Sequence, residues 1–211
     1  MNKITKIEVQ KRNKDRVNVF VDESFAFAIS AEILYKEGLK VDQVIDLEKV
    51  EKVAREDSFV KCKGSALRMI ERSYKTQKEI GDKLFLKGYD KETIERTMEF
   101  LKEYKFVNDE AYLNMYIKDK IKGQGKNKIK YDLMKKGIDD NLIENEILGI
   151  NEDEEKETAY AIALKKYNIL SKRENDKFKL SQKLYRFLLS KGYNYDIVSY
   201  VVKRILETED I

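Results

Sequence analysis

Histidine is absent from this sequence of 211 residues, and cysteine occurs only once, as Cys62. The lack of histidine removes the commonest general base and the commonest metal ligand. A single cysteine permits no intrachain disulfide and, without histidine, no zinc site. The segment Gly123–Lys126 lacks the preceding strand and the glycine spacing of a phosphate-binding loop. We therefore predict no catalytic residues, no metal and no cofactor, and expect a protein that binds a macromolecule and is not an enzyme.

Proline and long apolar runs are also missing. A chain without proline suits long uninterrupted helices, because proline removes a helical hydrogen bond. The apolar runs, such as 19–21 and 187–189, are only a few residues long, whereas a membrane-spanning helix needs about 20. The charged N-terminus does not resemble a signal peptide. With 42% hydrophobic and 39% charged residues, the composition favours a folded protein, which we expect in the cytoplasm without a membrane partner.

The first forty residues alternate between polar and apolar side chains, which is typical of β-strands. The alternation is clearest over 16–22 and 25–29, and Ile7 and Val9 continue the same period of two. Polar breaks between these segments predict hairpin turns. We therefore expect a small antiparallel β-meander, followed by a short helix that Ser30 caps. Three strands are marginally stable alone, so the sheet should pack on the helices that follow.

The rest of the chain contains an internal repeat centred on Gly88, Gly137 and Gly192. Each glycine has leucine four residues before it and isoleucine or leucine eight residues before it, which is the spacing of a buried helical face. Each is followed by tyrosine or isoleucine and then by aspartate or asparagine. Glycine can end a helix in the left-handed conformation, and aspartate or asparagine can cap the next helix. We therefore predict three copies of a helix-turn-helix corner.

A further segment of helical periodicity precedes each corner, so the repeating unit is predicted to be a three-helix module. Thr76 with Glu79, and likewise Asn151 and Ser171, are expected to start helices. Modules of this size bury little apolar surface alone, so we expect neighbouring modules to share a core. The predicted fold is mostly α, with tandem three-helix repeats in an elongated array after the β-meander. Its expected divisions are the meander with a helical extension at 1–58 and repeats 1, 2 and 3 at 59–107, 108–150 and 151–211.

Several segments resemble the RecX family. Leu133–Ile138 resembles the central signature of RecX-type proteins, and Asn108–Tyr112 is similar to the acidic and aromatic opening of that family's second repeat. The segments around Gly88 and Gly192 are similar to its first and third repeats, so the resemblance extends over residues 60–206. The β-meander also resembles an extension that some members carry.

This resemblance implies a modulator of the RecA recombinase without catalytic residues of its own. Such proteins bind RecA filaments on single-stranded DNA, lie in the filament groove and limit filament growth. They thereby lower strand exchange, ATP hydrolysis and coprotease cleavage. The expected partners are therefore the RecA filament and single-stranded DNA, with duplex DNA bound weakly, and the protein is expected to be a monomer.

Lysine and arginine concentrate in the second and third repeats. Residues 118–136 carry eight lysines against two aspartates, and residues 172–191 carry seven cations against two acids. The outward positions of the middle helix change from acidic in repeat 1 to basic in repeats 2 and 3, which indicates a long acidic partner. An ordinary solvated face is the alternative. The candidate residues for binding the RecA filament or DNA are Lys120, Lys122, Lys126, Lys128, Tyr131, Lys135, Lys179, Lys183 and Arg186.

Two questions stay open at the level of sequence. Tyr131 could stack on a nucleic-acid base, or it could be a half-buried packing residue. The alternative function is a direct DNA-binding helical-repeat protein without a recombinase partner, since helix-turn-helix corners resemble DNA-reading motifs in outline. Glu92 and Asp140 follow two of the corners and would repel phosphates, which disfavours that alternative.

Overall fold

Three β-strands precede ten helices within residues 2–11 and 13–208, which the computed structural model describes. The chain is divided into two compact units, Met1–Asn108 and Asp109–Ile211. No helix of the described residues is both long and apolar enough to cross a membrane. The strands are β1 (Ile4–Val9), β2 (Arg16–Val21) and β3 (Ser24–Ser30). The helices are α1 (Ala31–Lys36), α2 (Leu47–Arg72), α3 (Gln77–Leu86), α4 (Lys91–Glu103), α5 (Asp109–Lys120), α6 (Lys126–Lys135), α7 (Asp140–Leu148), α8 (Glu152–Leu170), α9 (Lys177–Ser190) and α10 (Tyr195–Thr208).

The predicted β-meander is confirmed, since β1, β2 and β3 form an antiparallel sheet in that order. Val17 pairs with Ile29 and Val19 pairs with Phe27, and all four side chains are buried. The sheet packs on the helices through contacts between β3 and α2. Ser30 caps α1 with its side chain, as expected.

The alternation in β3 breaks at Phe25, which the sequence pattern places on the same face as Phe27. A register shift beside Val19 makes Phe25 pair with Phe20. The Phe25 ring is therefore 59% exposed and meets the Phe20 ring edge to face, with 6.0 Å between centroids. A one-residue shift turns a strand side chain to the opposite face, so Phe25 departs from the alternation that Phe27 and Ile29 follow.

The three predicted helix-turn-helix corners are confirmed. Gly88, Gly137 and Gly192 have φ angles of +88°, +77° and +88°, in the left-handed region. The N–H of the residue after each glycine donates to the carbonyl oxygen of the leucine four residues before the glycine, at 3.2–3.3 Å. This Schellman arrangement satisfies carbonyl groups that the helix end leaves free. The next helix is capped in each case by a side chain, from Asp90, Asp139 or Asn194.

A third helix completes each module, so repeat 1 contains α2–α4, repeat 2 contains α5–α7 and repeat 3 contains α8–α10. α2 passes without a break through the expected division between residues 58 and 59. Each repeat encloses its own cluster of buried apolar side chains. Within the unit Asp109–Ile211 the clusters of repeats 2 and 3 are separate, so the expected shared core is wrong for these two repeats.

Two of the three expected helix starts are confirmed. Thr76 and Glu79 form a capping box at α3, and the side chain of Asn151 caps α8. The third is wrong, because Ser171 ends α8 instead of starting a helix. α9 begins after Asp176, whose side chain accepts two backbone N–H groups of its first turn.

Candidate functional site

The nine candidate binding residues all lie in the unit Asp109–Ile211, where they form two groups. One group follows the chain from the end of α5 into α6, and the other lies along α9. We name both together the basic surface. The α6 group contains Lys120, Lys122, Lys126, Lys128, Tyr131 and Lys135, and the α9 group contains Lys179, Lys183 and Arg186.

The α6 group begins with two lysines beside the turn between α5 and α6. Lys120 Nζ lies 2.9 Å from the carboxylate of Asp119 and 5.6 Å from the centroid of the Tyr116 ring. The hydrogen bond from Lys120 lowers the pKa of Asp119. Lys122 follows in the turn and is exposed. Exposed ion pairs contribute little stability, so an external anion can replace Asp119 at small cost.

Lys126 differs from its neighbours because it is engaged inside the unit. Its backbone N–H donates to the carboxylate of Glu155 at 3.0 Å, and its Nζ donates to the carbonyl oxygen of Ile150 at 2.9 Å. Lys126 Nζ also lies 3.6 Å from Glu155, whose side chain is only 3% exposed. A buried carboxylate needs such partners, so Lys126 serves the fold as well as the charge of the surface.

The start of α6 is docked on the corner between α9 and α10. The N–H of Gly125 donates to the carbonyl oxygen of Lys191 at 2.9 Å, and the N–H of Asn127 donates to that of Gly192 at 3.2 Å. A Cβ on Gly125 would lie 2.5 Å from the backbone of Gly192, and a Cβ on Gly192 would lie 2.3 Å from Cβ of Lys128. Only glycine permits this approach. Repeats 2 and 3 are therefore joined by backbone contact, which places Lys128 against the last corner.

Tyr131 and Lys135 lie one turn apart on α6. The Tyr131 ring is 55% exposed, and Lys135 Nζ lies 4.4 Å from its centroid. A hydrogen bond with the Tyr131 hydroxyl raises the pKa of Lys135, which stays charged. The half-buried packing alternative for Tyr131 is therefore wrong, because its ring faces solvent beside a cation.

The α9 group consists of three exposed cations. Lys183 Nζ lies 3.0 Å from the carboxylate of Glu174, and its hydrogen bond lowers the pKa of that group. Lys179 lies 3.8 Å from Asp176, and Arg186 donates to the side chain of Gln182 at 3.3 Å. Lys179 and Lys183 therefore each have a carboxylate partner, whereas the partner of Arg186 is a neutral amide.

The buried joint around Glu155 was not among the predicted site residues. The helical spacing of Glu155, Ala159 and Ala163 places a carboxylate on the core-facing stripe of α8, and all three side chains are buried. A glutamate at an apolar position of a helix predicts a buried carboxylate, and this feature of the sequence could have identified Glu155. The partner, Lys126, is 29 residues away in the sequence, and nothing local identifies it.

The chemistry of the remaining candidate groups is limited. Within the part of the chain that the structure describes, no three thiol or carboxylate groups are arranged to hold a metal ion. Cys62 is buried in the core of repeat 1, and desolvation raises the pKa of its thiol to about 11. A protonated buried thiol is a packing residue and a poor nucleophile.

Comparison with protein families matches four segments of the chain to four domain models. The model of the regulatory protein RecX N-terminal domain matches residues 2–46. The models of the first, second and third three-helix domains of RecX match residues 62–101, 108–145 and 152–202.

Similar proteins include the regulatory protein RecX of Clostridium perfringens (strain 13 / Type A), with 54% identity over 99% of both chains. The regulatory protein RecX of Clostridioides difficile (strain 630) is 35% identical over 100% of this chain and 99% of its own. A crystal structure of regulatory protein RecX superimposes with a TM-score of 0.65 at 25% identity, covering 95% of this chain and 98% of that one. The crystal structure of RecX from Lactobacillus salivarius gives a TM-score of 0.62 at 27% identity, covering 71% and 97%.

Proposed function

The chain belongs to the RecX family of regulatory proteins, and we propose that it regulates the RecA recombinase. In this proposal it binds RecA filaments on single-stranded DNA and limits their growth. Lower ATP hydrolysis, strand exchange and coprotease cleavage follow from shorter filaments. The observation that carries this proposal is the match of all four RecX domains along the chain.

The basic surface supports an acidic, extended partner. Lys128, Lys183 and Arg186 lie on helices of two repeats that are joined directly at the start of α6. Cations repeated along an array can follow a chain of phosphates or an acidic groove in a filament. Binding of phosphates releases counterions, so the interaction should weaken as salt concentration rises. The exposed ring of Tyr131 beside Lys135 can add stacking on a base.

We further propose that the protein acts as a monomer in the cytoplasm and catalyses no reaction of its own. The buried, protonated thiol of Cys62 bears only on catalysis: it disfavours a cysteine nucleophile, which needs exposure and a lowered pKa. RecA supplies the ATP hydrolysis, and this protein changes how much filament is present to perform it.

Electron microscopy of RecA filaments on single-stranded DNA tests the proposal. Addition of this protein should shorten the filaments and leave density along those that remain. Filaments of unchanged length, without added density at stoichiometric excess, would contradict it.

A protein that reads duplex DNA directly with its corners is the competing function. The caps Asp90 and Asp139 and the following Glu92 and Asp140 place carboxylates at two of the helix starts that would enter a groove. Phosphates repel such groups, which disfavours this alternative. Tight duplex binding with a steep salt dependence, together with no effect on RecA, would favour it.

A further inference from the structure

An exposed aromatic cluster lies at the end of α4, in the unit Met1–Asn108. The side chains of Tyr104 and Phe106 are 59% and 46% exposed. Their ring planes are within 19° of parallel, with 6.4 Å between centroids, and the Tyr104 ring lies 4.7 Å from that of Phe100. Burying a ring of this kind removes about 150–250 Å² from water, so two neighbouring exposed rings need an explanation.

Lys105, between the two exposed rings, adopts the left-handed conformation with φ of +55°. This region disfavours any residue that has a Cβ. Four other left-handed positions that follow helices are occupied by Gly38, Gly88, Gly137 and Gly192. A strained lysine where the chain elsewhere has glycine indicates that the lysine side chain serves a purpose beyond the turn.

Lysines lie at the base of the aromatic cluster and beside its exposed rings in the chain. Lys63 Nζ lies 4.8 Å from the centroid of the Phe100 ring, at the base of the cluster. Lys102 and Lys105 precede and follow Tyr104 in the chain and are exposed, as are the acids Glu99 and Glu103. An apolar protein segment gains nothing from these lysines, whereas a polyanion with planar groups is attracted by both the charges and the rings.

We propose that Tyr104, Lys105 and Phe106 form a stacking site for unpaired bases of single-stranded nucleic acid. The two ring faces receive bases, and the ammonium group of Lys105 binds the phosphate that links them. Stacking of this kind tolerates any base, because every base has a planar face. The inference rests on the proposed function only in taking single-stranded DNA as a partner, and it uses none of the residues of the basic surface.

Binding of a labelled oligothymidylate containing one 2-aminopurine to the full-length protein, without RecA, tests this site. The change Tyr104→Leu with Phe106→Leu should raise Kd at least about 10-fold, since stacking on one ring alone changes affinity by roughly 5- to 150-fold. It should also reduce the change in 2-aminopurine fluorescence. The control Tyr35→Leu removes a tyrosine that is 89% exposed on α1 and should leave Kd unchanged.

Lys105→Gly separates binding from folding. It relieves the left-handed backbone, so the melting temperature should stay equal or rise. It also removes one phosphate contact, so binding should weaken and the dependence of log K on log salt should become shallower by about 0.7.

Wild-type affinity in Lys105→Gly and in the double variant would overturn the proposal, as would the absence of single-strand binding by the unchanged protein. If the double leucine variant no longer affects RecA but binds single strands with unchanged affinity, the rings contact protein and not nucleic acid. That result would also overturn the proposal. If reversal of Lys128, Lys183 and Arg186 leaves the inhibition of RecA unchanged, the basic surface is wrong as the binding face, and the ring site is not affected by that result.

Discussion

At the scale of single residues, the buried thiol of Cys62 makes stability depend on pH. Burial raises its pKa from the ordinary 9.0 to about 11. Because the folded pKa is the higher one, the stabilisation is fully present below pH 9 and is lost as pH rises through 11. The free energy of unfolding from urea titrations should therefore fall over this range, and less steeply in Cys62→Ala. Parallel curves for the two proteins would mean that the thiol ionises as readily when folded.

The buried carboxylate of Glu155 should stabilise the joint between repeats 2 and 3. Glu155→Gln keeps the size of the side chain but removes the charge that faces Lys126. We expect a loss of about 1–3 kcal/mol in the free energy of unfolding. The amide nitrogen that replaces one carboxylate oxygen cannot accept a hydrogen bond, so one donor of Lys126 loses its acceptor. The control Glu157→Gln breaks an exposed pair with Arg204 and should cost less than about 1 kcal/mol. Equal losses would show that burial of Glu155 adds nothing.

At the scale of elements, two glycines allow the cost of the left-handed backbone to be distinguished from the cost of a steric clash. Gly38 and Gly192 both have positive φ, but a Cβ on Gly38 meets nothing within 4 Å, whereas one on Gly192 meets Lys128 at 2.3 Å. Gly38→Ala should cost about 1 kcal/mol of stability, from the left-handed conformation alone. Gly192→Ala should cost about 3 kcal/mol or more, because the start of α6 must also move. Thermal unfolding of both variants measures the difference, and similar costs would contradict the docked joint.

Elements set by local chemistry could be predicted from the sequence, and those set by distant contacts could not. The corner at Gly137 follows from residues within ten positions of it, and so does its cap Asp139. Ser171 misled because α8 extends to Leu170 and Asp176 supplies the cap of α9. The exposure of Phe25 depends on a register shift in the sheet, which no period of two can reveal.

At the scale of the whole molecule, the sequence showed where the positive charges lie but not which of them have partners within the fold. The lysine-rich stretches indicated repeats 2 and 3, yet Lys126 is engaged with Glu155 and Ile150 within its unit. The contact between Gly125 and Gly192 could not be predicted from hydrophobic periodicity, because close backbone approach requires only that a side chain be absent. The exposed rings at Tyr104 and Phe106 likewise depend on where the chain turns after α4.

We propose that this protein lowers the amount of active RecA filament through its basic surface. The most direct measurement is ATP hydrolysis by RecA on single-stranded DNA, with increasing amounts of the protein. The control reverses Lys6, Lys91 and Lys203, which are exposed and, like Lys183, paired with carboxylates.

Wild type and this control should inhibit hydrolysis alike. Reversal of Lys128, Lys183 and Arg186 to glutamate should shift inhibition to at least about tenfold higher concentration, because each lost phosphate or carboxylate contact weakens binding. Both variants should retain the helical content of the unchanged protein. Undiminished hydrolysis with wild type would contradict the proposed function, and equal inhibition by the two reversal variants would contradict binding through the basic surface.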